Sequence, residues 1–332
     1  MLIMGVNNMK YILDETLYID VNDDKQNIHI RSNKPDGEVL LFVHGGPGVP
    51  DRSWVMPRQS KYLANHCVMV CWDQRMAGIS YHKEKVNEDI TIDDMVEDMH
   101  AVVNYLRNRF NKDKIYFVGH SWGSILGVCY LRKYPETIKA YVGMGQFVNG
   151  TLNEKMSYDF VVNYAKEHNI KKAIKDLEKI GEPVNGLYGD ENSWFDRMMI
   201  QRDYMTKFGG GCYKEKESIF TSVLVPFITS HEYPLVPGLY RYAKGSYHCL
   251  RKLWKEVVSL EFDKDVKELS VPVYLFQGDH DQNTPTILAK KWFDELKAPY
   301  KEYIPFHESA HSPIKEEDEL WGTTLIEKLF NK

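Results

Sequence analysis

Ser121 stands at the centre of the segment Gly119-His120-Ser121-Trp122-Gly123, which fits the pattern G-x-S-x-G. The apolar run 115–118 precedes the segment, and residues 124–134 continue with helical spacing. Side chains beside the serine would collide in a turn that joins a strand to a helix so tightly, which explains the two glycines. Such a turn lifts the serine hydroxyl above the strand end, where a base can reach it. The segment therefore predicts a nucleophilic serine. The alternative is a glycine-rich turn with an idle serine.

A serine is a weak nucleophile unless a histidine takes its proton and an acid orients that histidine. Where the serine lies between a strand and a helix in this way, the acid follows a late strand and the histidine follows the last one. Asp281 follows the apolar run 271–276, and His311 follows the predicted final strand 300–305. We therefore predict that Ser121, Asp281 and His311 form a catalytic triad.

Neighbouring residues offer alternatives for these roles. Asp279 is the alternative acid. It lies closer to the end of the predicted strand 271–276 than Asp281, which is preferred because it is nearer the helix predicted to begin around Pro285. His307 lies almost on the last strand and is interpreted as a packing or supporting residue. His120 is adjacent to the serine and should point away from the face of attack, so we interpret it as structural.

Acyl transfer also requires backbone N–H groups that stabilise the negative charge on the carbonyl oxygen. Trp122, which follows the serine, should supply one of them, and the loop after the third strand should supply the other. That loop is His44-Gly45-Gly46-Pro47-Gly48, and Gly46 is the candidate donor. Its glycines allow close approach of substrate, whereas the alternative is an ordinary turn.

The elements that must position these residues indicate an α/β protein. Continuous apolar runs are typical of strands that are buried on both faces of a parallel sheet. A helix with apolar residues every three or four positions follows Thr91, and Thr91 with Asp94 resembles a capping signal. Residues 11–31 favour two antiparallel strands around a turn at 21–24. The early apolar runs are 39–43, 68–72 and 115–118.

Helical spacing and frequent aromatic residues replace the strand signals after about residue 147. We predict a mostly helical insertion over residues 147–262, divided by the glycine run 209–211. The core then comprises residues 1–146 and 263–332, with a closing helix at about 316–330.

Composition restricts the functional class. The 332 residues are 43% hydrophobic and 27% charged, with a net charge of −5 and no basic patch that would indicate nucleic-acid binding. The five cysteines show no C-x-x-C pair, which favours a reducing compartment without disulfides or a zinc site. No apolar run approaches the ~20 residues that span a bilayer, and the N-terminus lacks a signal-peptide core. We expect a cytoplasmic protein with no membrane association, no metal and no cofactor, because acyl transfer is complete with protein groups.

With these motifs the chain resembles the proline iminopeptidase family of α/β hydrolases over most of its length. The matching segments are the 44–48 loop, Asp73-Gln74-Arg75 continuing to Ser80, the serine with its Trp-Gly-Ser continuation, and the loops of the acid and the base. The resemblance implies an α/β-hydrolase fold with a mostly parallel eight-stranded sheet flanked by helices, and a helical cap over the site. Two positions depart from the pattern: Met76 replaces the first glycine after D-Q-R, and His120 stands where peptidase members commonly carry glycine.

An aminopeptidase must bind a protonated amine, which calls for carboxylates that face the serine. Family members supply glutamates from the cap, whereas the corresponding helix here, around 201–204, contains no clear glutamate. Glu232, Asp203 and Asp196 are the candidate substitutes, and the alternative for each is a solvated surface charge.

The favoured activity is aminopeptidase hydrolysis of a small peptide or amide through an acyl-enzyme. An esterase or lactonase with the same triad is the second hypothesis. A non-catalytic binding protein of this fold is the third. The expected partner is a short peptide or another small molecule, and the sequence leaves the oligomeric state open.

Overall fold

The computed structural model describes residues 10–214 and 225–331. The parts of the predicted core at 1–9 and 332, and the part of the predicted insertion at 215–224, lie outside the described residues. Its centre is an eight-stranded sheet with the order β1-β2-β4-β3-β5-β6-β7-β8. Strands β1, β2 and β4 pair antiparallel, and the remaining neighbours pair parallel. The predicted fold class is confirmed. The strands are β1 Leu13–Val21, β2 Asp24–Ser32, β3 Glu38–Val43, β4 Cys67–Asp73, β5 Ile115–His120, β6 Ile138–Met144, β7 Val273–Gly278 and β8 Lys301–Phe306.

Helices cover both faces of this sheet, which explains the continuous apolar runs in its central strands. Within β3, Leu41 packs in the cluster that includes residues of α2 and α3, whereas its neighbour Phe42 packs in the cluster that includes α1 and α11. The ring centroids of Phe42 and Trp321 lie 6.2 Å apart. The helices are α1 Arg52–Leu63, α2 Ile92–Phe110, α3 Trp122–Lys133, α4 Gly150–Glu167, α5 Lys171–Ile180, α6 Trp194–Lys207, α7 Leu235–Ser259, α8 Phe262–Asp265, α9 Thr286–Glu295, α10 Pro313–Glu316 and α11 Asp318–Leu329.

The predicted cap of α2 is present as a reciprocal pair. Asp94 N donates to Thr91 Oγ1 at 3.1 Å, and Thr91 N donates to Asp94 Oδ2 at 2.9 Å. The closing helix differs from the prediction because it is interrupted at Glu317, whose backbone is not helical. The Glu317 carboxylate accepts hydrogen bonds from Glu308 N at 3.0 Å and Ser309 Oγ at 2.6 Å, in the loop before His311.

Helices α4 to α8 fill the chain between β6 and β7, and the described part of this segment adds no strand to the sheet. The two ends of the segment meet. Phe262 N donates to Val148 O at 2.7 Å, and Gly150 N donates to Leu260 O at 2.9 Å. Within residues 10–214 and 225–331, no helix is long and apolar enough to cross a membrane.

Candidate active site

Ser121 occupies the turn between β5 and α3 with φ 55° and ψ −116°, a conformation that L residues rarely adopt. A Cβ on Gly119 would lie 2.5 Å from Gly123 O, and a Cβ on Gly123 would lie 1.9 Å from Val43 O. Glycine is therefore required on both sides of the serine. Ser121 N donates to Met144 O at 2.9 Å, which fixes the turn against the end of β6.

Asp281 and His311 form a buried pair in which His311 Nδ1 lies 2.9 Å from Asp281 Oδ2. Four further donors hold the aspartate. Asn283 N and Thr284 N each lie 2.9 Å from Oδ1, while Thr284 Oγ1 and Gln277 Nε2 lie 2.7 and 3.1 Å from Oδ2. Because donors converge on both carboxylate oxygens, the aspartate is the acceptor in this pair, so Nδ1 donates and Nε2 is left as the acceptor nitrogen.

The two alternative residues for the acid and the base are paired with each other instead. His307 Nδ1 lies 2.6 Å from Asp279 Oδ2, and the side chains of His307 and Asp279 are 73% and 38% exposed. The Asp279 carboxylate raises the pKa of His307 above its ordinary value. Neither residue lines a cavity beside Ser121 in the described part of the chain.

Ser121 and His311 both line a cavity of about 270 Å³, which we call the larger cavity. Behind the histidine, Gly145 has φ 56°, and a Cβ there would lie 2.9 Å from the imidazole ring. His120 Nε2 lies 3.0 Å from the backbone O of His311. Burial lowers the pKa of His120 to about 3, and the nearby His311 adds to that effect, so His120 is neutral and supports the His311 loop.

Gln74 connects the two backbone segments that carry the predicted oxyanion donors. Its backbone N donates to His44 Nε2 at 3.2 Å, and its Nε2 donates to His44 O at 3.1 Å. Its Oε1 accepts from Trp122 Nε1 at 2.8 Å. Gly46, two residues after His44, adopts φ 119°, and Trp122 is the first residue of α3. The N–H groups of a first helical turn have no partner within the helix, as an oxyanion donor requires.

Gly46 and Trp122 also line, together with Ser121, a second cavity of about 90 Å³, which we call the smaller cavity. Most of its wall is apolar. It is lined by Gly46, Pro47, Ser121, Trp122, Ile125, Phe147, Asn153, Glu154, Met198, Arg202, Leu250, Trp254, Val257, Val258, Asn283 and Thr284.

Glu154 is the acidic residue of the smaller cavity and is only 1% exposed. Its Oε1 accepts from Arg202 Nη2 at 2.5 Å, whereas its Oε2 is buried without a hydrogen-bond partner. Trp254 Nε1, on another wall of the cavity, is likewise a buried donor without a partner. Buried polar atoms are usually satisfied in folded proteins, so two unsatisfied atoms on residues around one cavity make it a candidate binding site.

The three carboxylates predicted to select the substrate lie elsewhere. Glu232 pairs with Arg31 Nη1 at 2.9 Å, Asp203 pairs with Lys207 on the surface of α6, and Asp196 is exposed in the first turn of α6. None of the three lines either cavity in the described residues.

Sequence reasoning missed Glu154. Its helix, α4, buries a single face at helical spacing, and Glu154 lies on that face with Tyr158 and Val161. Because Asn153 and Ser157 are polar residues on the same face, the apolar spacing of the sequence does not mark it clearly. A fold-level signal was present, because α4 begins directly after the strand that follows Ser121. No group of three or more His, Cys, Asp or Glu side chains in the described residues is arranged to hold a metal ion.

Comparison with known proteins supports the fold and the family. The family described as alpha/beta hydrolase fold matches residues 38–175. The probable aminopeptidase of Bacillus subtilis (strain 168) is 30% identical over 309 residues, which cover 92% of this chain and 93% of that protein. The proline iminopeptidase of Neisseria gonorrhoeae is 33% identical over 135 residues, 40% of each protein. The crystal structure of a proline iminopeptidase of Mycobacterium smegmatis matches with a TM-score of 0.66 at 15% identity, covering 95% of this chain and 97% of that one.

Together the fold and these matches define a hydrolase of the α/β-hydrolase fold. Within that class, the chain belongs to the proline iminopeptidase-like family. The fold alone does not determine the substrate. An esterase from Exiguobacterium antarcticum shares it with a TM-score of 0.58 at 15% identity, covering 94% of this chain and 98% of that one.

Proposed function

We propose that this protein is a serine aminopeptidase of the prolyl aminopeptidase type, which removes the first residue of short peptides through an acyl-enzyme. The observation that carries the proposal is Glu154, a carboxylate that lines the smaller cavity beside Ser121 and whose Oε2 has no hydrogen-bond partner. A buried ammonium group requires a carboxylate partner, and a carboxylate in the wall of a small apolar cavity suits that role.

The proposed reaction begins with attack of Ser121 Oγ on the substrate carbonyl. His311 Nε2 takes the serine proton, and Asp281 stabilises the imidazolium that forms. The N–H groups of Gly46 and Trp122 stabilise the oxyanion. His311 then gives the proton to the departing nitrogen, and water hydrolyses the acyl-enzyme by the same groups.

We propose that the helical segment 147–262 acts as a cap that supplies the walls of the acyl site. The support is that Glu154, Met198, Arg202 and Trp254, which line the smaller cavity, all belong to this segment. A cavity of about 90 Å³ accommodates a small, mostly apolar side chain and excludes a large one. The first residue of the substrate is therefore small, and proline is compatible with the apolar wall.

A second candidate is an esterase that uses the same triad. The observation that favours it is the ion pair of Glu154 with Arg202, at 2.5 Å, which already neutralises the carboxylate. An ester with an uncharged acyl group would bind there without an additional charge.

Two experiments test the proposal. A fluorophosphonate should label the folded wild-type protein and leave Ser121→Ala unlabelled; absence of labelling in the wild type would overturn the serine mechanism. The second experiment compares kcat/KM on proline naphthylamide with kcat/KM on short acyl nitrophenyl esters. Turnover of the esters alone would refute the aminopeptidase assignment.

The role of Glu154 is tested by Glu154→Gln against the matched control Asp203→Asn, because Asp203 is a half-exposed carboxylate in the same segment and lines neither cavity in the described residues. Loss of a hydrogen bond to a charged group costs about 1.5–3 kcal/mol, so kcat/KM on the naphthylamide should fall about tenfold to a hundredfold. Ester hydrolysis and fluorophosphonate labelling should change little in both variants. An equal loss on both substrates would instead indicate a purely structural role for Glu154.

A further inference from the structure

The position of His311 identifies where the leaving group lies. In the proposed reaction His311 gives its proton to the departing nitrogen, so that nitrogen must be within hydrogen-bond reach of its ring. His311 lines the larger cavity but, in the described residues, not the smaller one. The acyl group therefore occupies the smaller cavity, and the leaving group occupies the larger one.

The larger cavity presents positive charge. Arg202 and Lys315 line it, and within residues 10–214 and 225–331 no aspartate or glutamate does. Although burial lowers the pKa of Arg202, the Glu154 carboxylate raises it above its ordinary value, so the guanidinium is charged. A lysine ammonium has three N–H donors, so Lys315 is able to bind a substrate anion in addition to its protein contacts.

Binding of a substrate amine changes the charge balance of this pair. Glu154 is then shared between the substrate ammonium and Arg202, which together carry one more positive charge than the carboxylate neutralises. Arg202 lines both cavities, so this excess lies at their boundary. A carboxylate on the leaving group would neutralise this excess and accept hydrogen bonds from the guanidinium.

Size and distance favour a short leaving group. The larger cavity has a volume of about 270 Å³, near the lower end of the ~300–1,000 Å³ that is usual for ligand pockets. In a dipeptide a single Cα separates the scissile nitrogen from the terminal carboxylate, which keeps the carboxylate close to His311 and Arg202. In a longer peptide the carboxylate lies further away, and an uncharged peptide group takes its place.

We infer that the preferred substrates are dipeptides with a free C-terminal carboxylate, which Arg202 and Lys315 bind in the larger cavity. The inference rests on the proposed aminopeptidase function. The C–N bond breaks as His311 protonates the nitrogen, which departs as a free amino acid. Water then cleaves the ester to Ser121 and releases the first amino acid.

The test uses the full-length protein and two substrates that differ only in the carboxylate, prolylglycine and prolylglycine amide. Release of free proline is measured to obtain kcat/KM for each. We expect the dipeptide to be preferred by about tenfold or more, the effect of one hydrogen bond between charged groups. Equal kcat/KM for the two substrates would overturn the inference and leave the aminopeptidase function intact. If neither peptide is cleaved while esters are, the proposed function fails and the inference fails with it.

A lysine variant assigns the preference to the larger cavity. Lys315→Met should reduce the ratio of dipeptide to amide, and Lys315→Arg should largely preserve it. Lys291→Met is the matched control, because Lys291 is exposed on α9 and lines neither cavity in the described residues. Fluorophosphonate labelling verifies that each variant keeps an intact triad. An unchanged ratio in Lys315→Met, or an equal fall in Lys291→Met, would refute the assignment to Lys315.

Discussion

The backbone conformation of Ser121 makes a specific prediction about stability. Its φ of 55° and ψ of −116° crowd a Cβ against the backbone, and glycine has no Cβ. Ser121→Ala removes the hydroxyl but keeps the crowding, whereas Ser121→Gly removes both. Since both variants lack the hydroxyl, a comparison of their stabilities isolates the strain of the turn from the effect of removing the hydroxyl.

The expected difference follows from two opposing contributions. A residue held in such a conformation costs about 1–3 kcal/mol. Glycine loses more conformational entropy on folding, which costs about 0.5–1 kcal/mol. Ser121 is only partly buried, so the missing methyl group of the glycine variant adds little. We expect the free energy of unfolding of Ser121→Gly to exceed that of Ser121→Ala by about 1 kcal/mol.

Urea unfolding, followed by tryptophan fluorescence and far-UV circular dichroism, measures this difference. The control is the pair Ser246→Ala and Ser246→Gly, because Ser246 is partly buried inside the helix α7, where glycine should be the less stable replacement by about 1 kcal/mol. Opposite signs at the two sites are the expected result. A lower midpoint for Ser121→Gly than for Ser121→Ala would refute the strain argument.

Three further results are expected. Asp281→Asn should lower kcat by about 10⁴-fold, because an amide cannot hold His311 in the required tautomer, and steady-state kinetics with labelling by fluorophosphonate would check this. Gln74→Leu leaves His44 O and the Trp122 indole N–H without their hydrogen-bond partner. The free energy of unfolding should therefore fall by about 1–3 kcal/mol, and kcat should change more than KM. Burial raises the pKa of Asp51 from 3.8 to about 8, so its contribution to stability is fully present below pH 3.8 and is lost as the pH rises through 8. Between pH 5 and pH 7 this group should lower the free energy of unfolding of the wild type by about 1.4 kcal/mol for each unit that the pH rises. Asp51→Asn should remove that fall, and an unchanged dependence of stability on pH would contradict the assignment.

The fold and the local frame of the site could be predicted because their signals are local in sequence. The apolar run of β5, the glycines around Ser121 and the helix that follows are contiguous, and each constrains the next. The loops of Asp281 and His311 follow from strand order, and the structure brings their side chains together at 2.9 Å. Their catalytic roles stay a prediction.

The proposed substrate site could not be predicted, because it depends on packing between helices that are distant in sequence. Glu154 faces the smaller cavity through the arrangement of α4 against α6, where Arg202 meets it. The spacing of residues within either helix does not predict the contact between Glu154 and Arg202. Gln74 shows the same limit, since its motif was recognised while its contacts with His44 and Trp122 appeared only in three dimensions.

The hydrogen-bonded junction where Val148 meets Phe262 has a consequence for how this enzyme could diversify. The chain leaves and rejoins the sheet at almost one point, with Phe262 N 2.7 Å from Val148 O and Gly150 N 2.9 Å from Leu260 O. A replacement segment whose ends are equally close would leave the register of β6 and β7 unaltered. The proposed cap could therefore be exchanged as a cassette, by recombination or by design, while the turn that carries Ser121 is inherited unchanged.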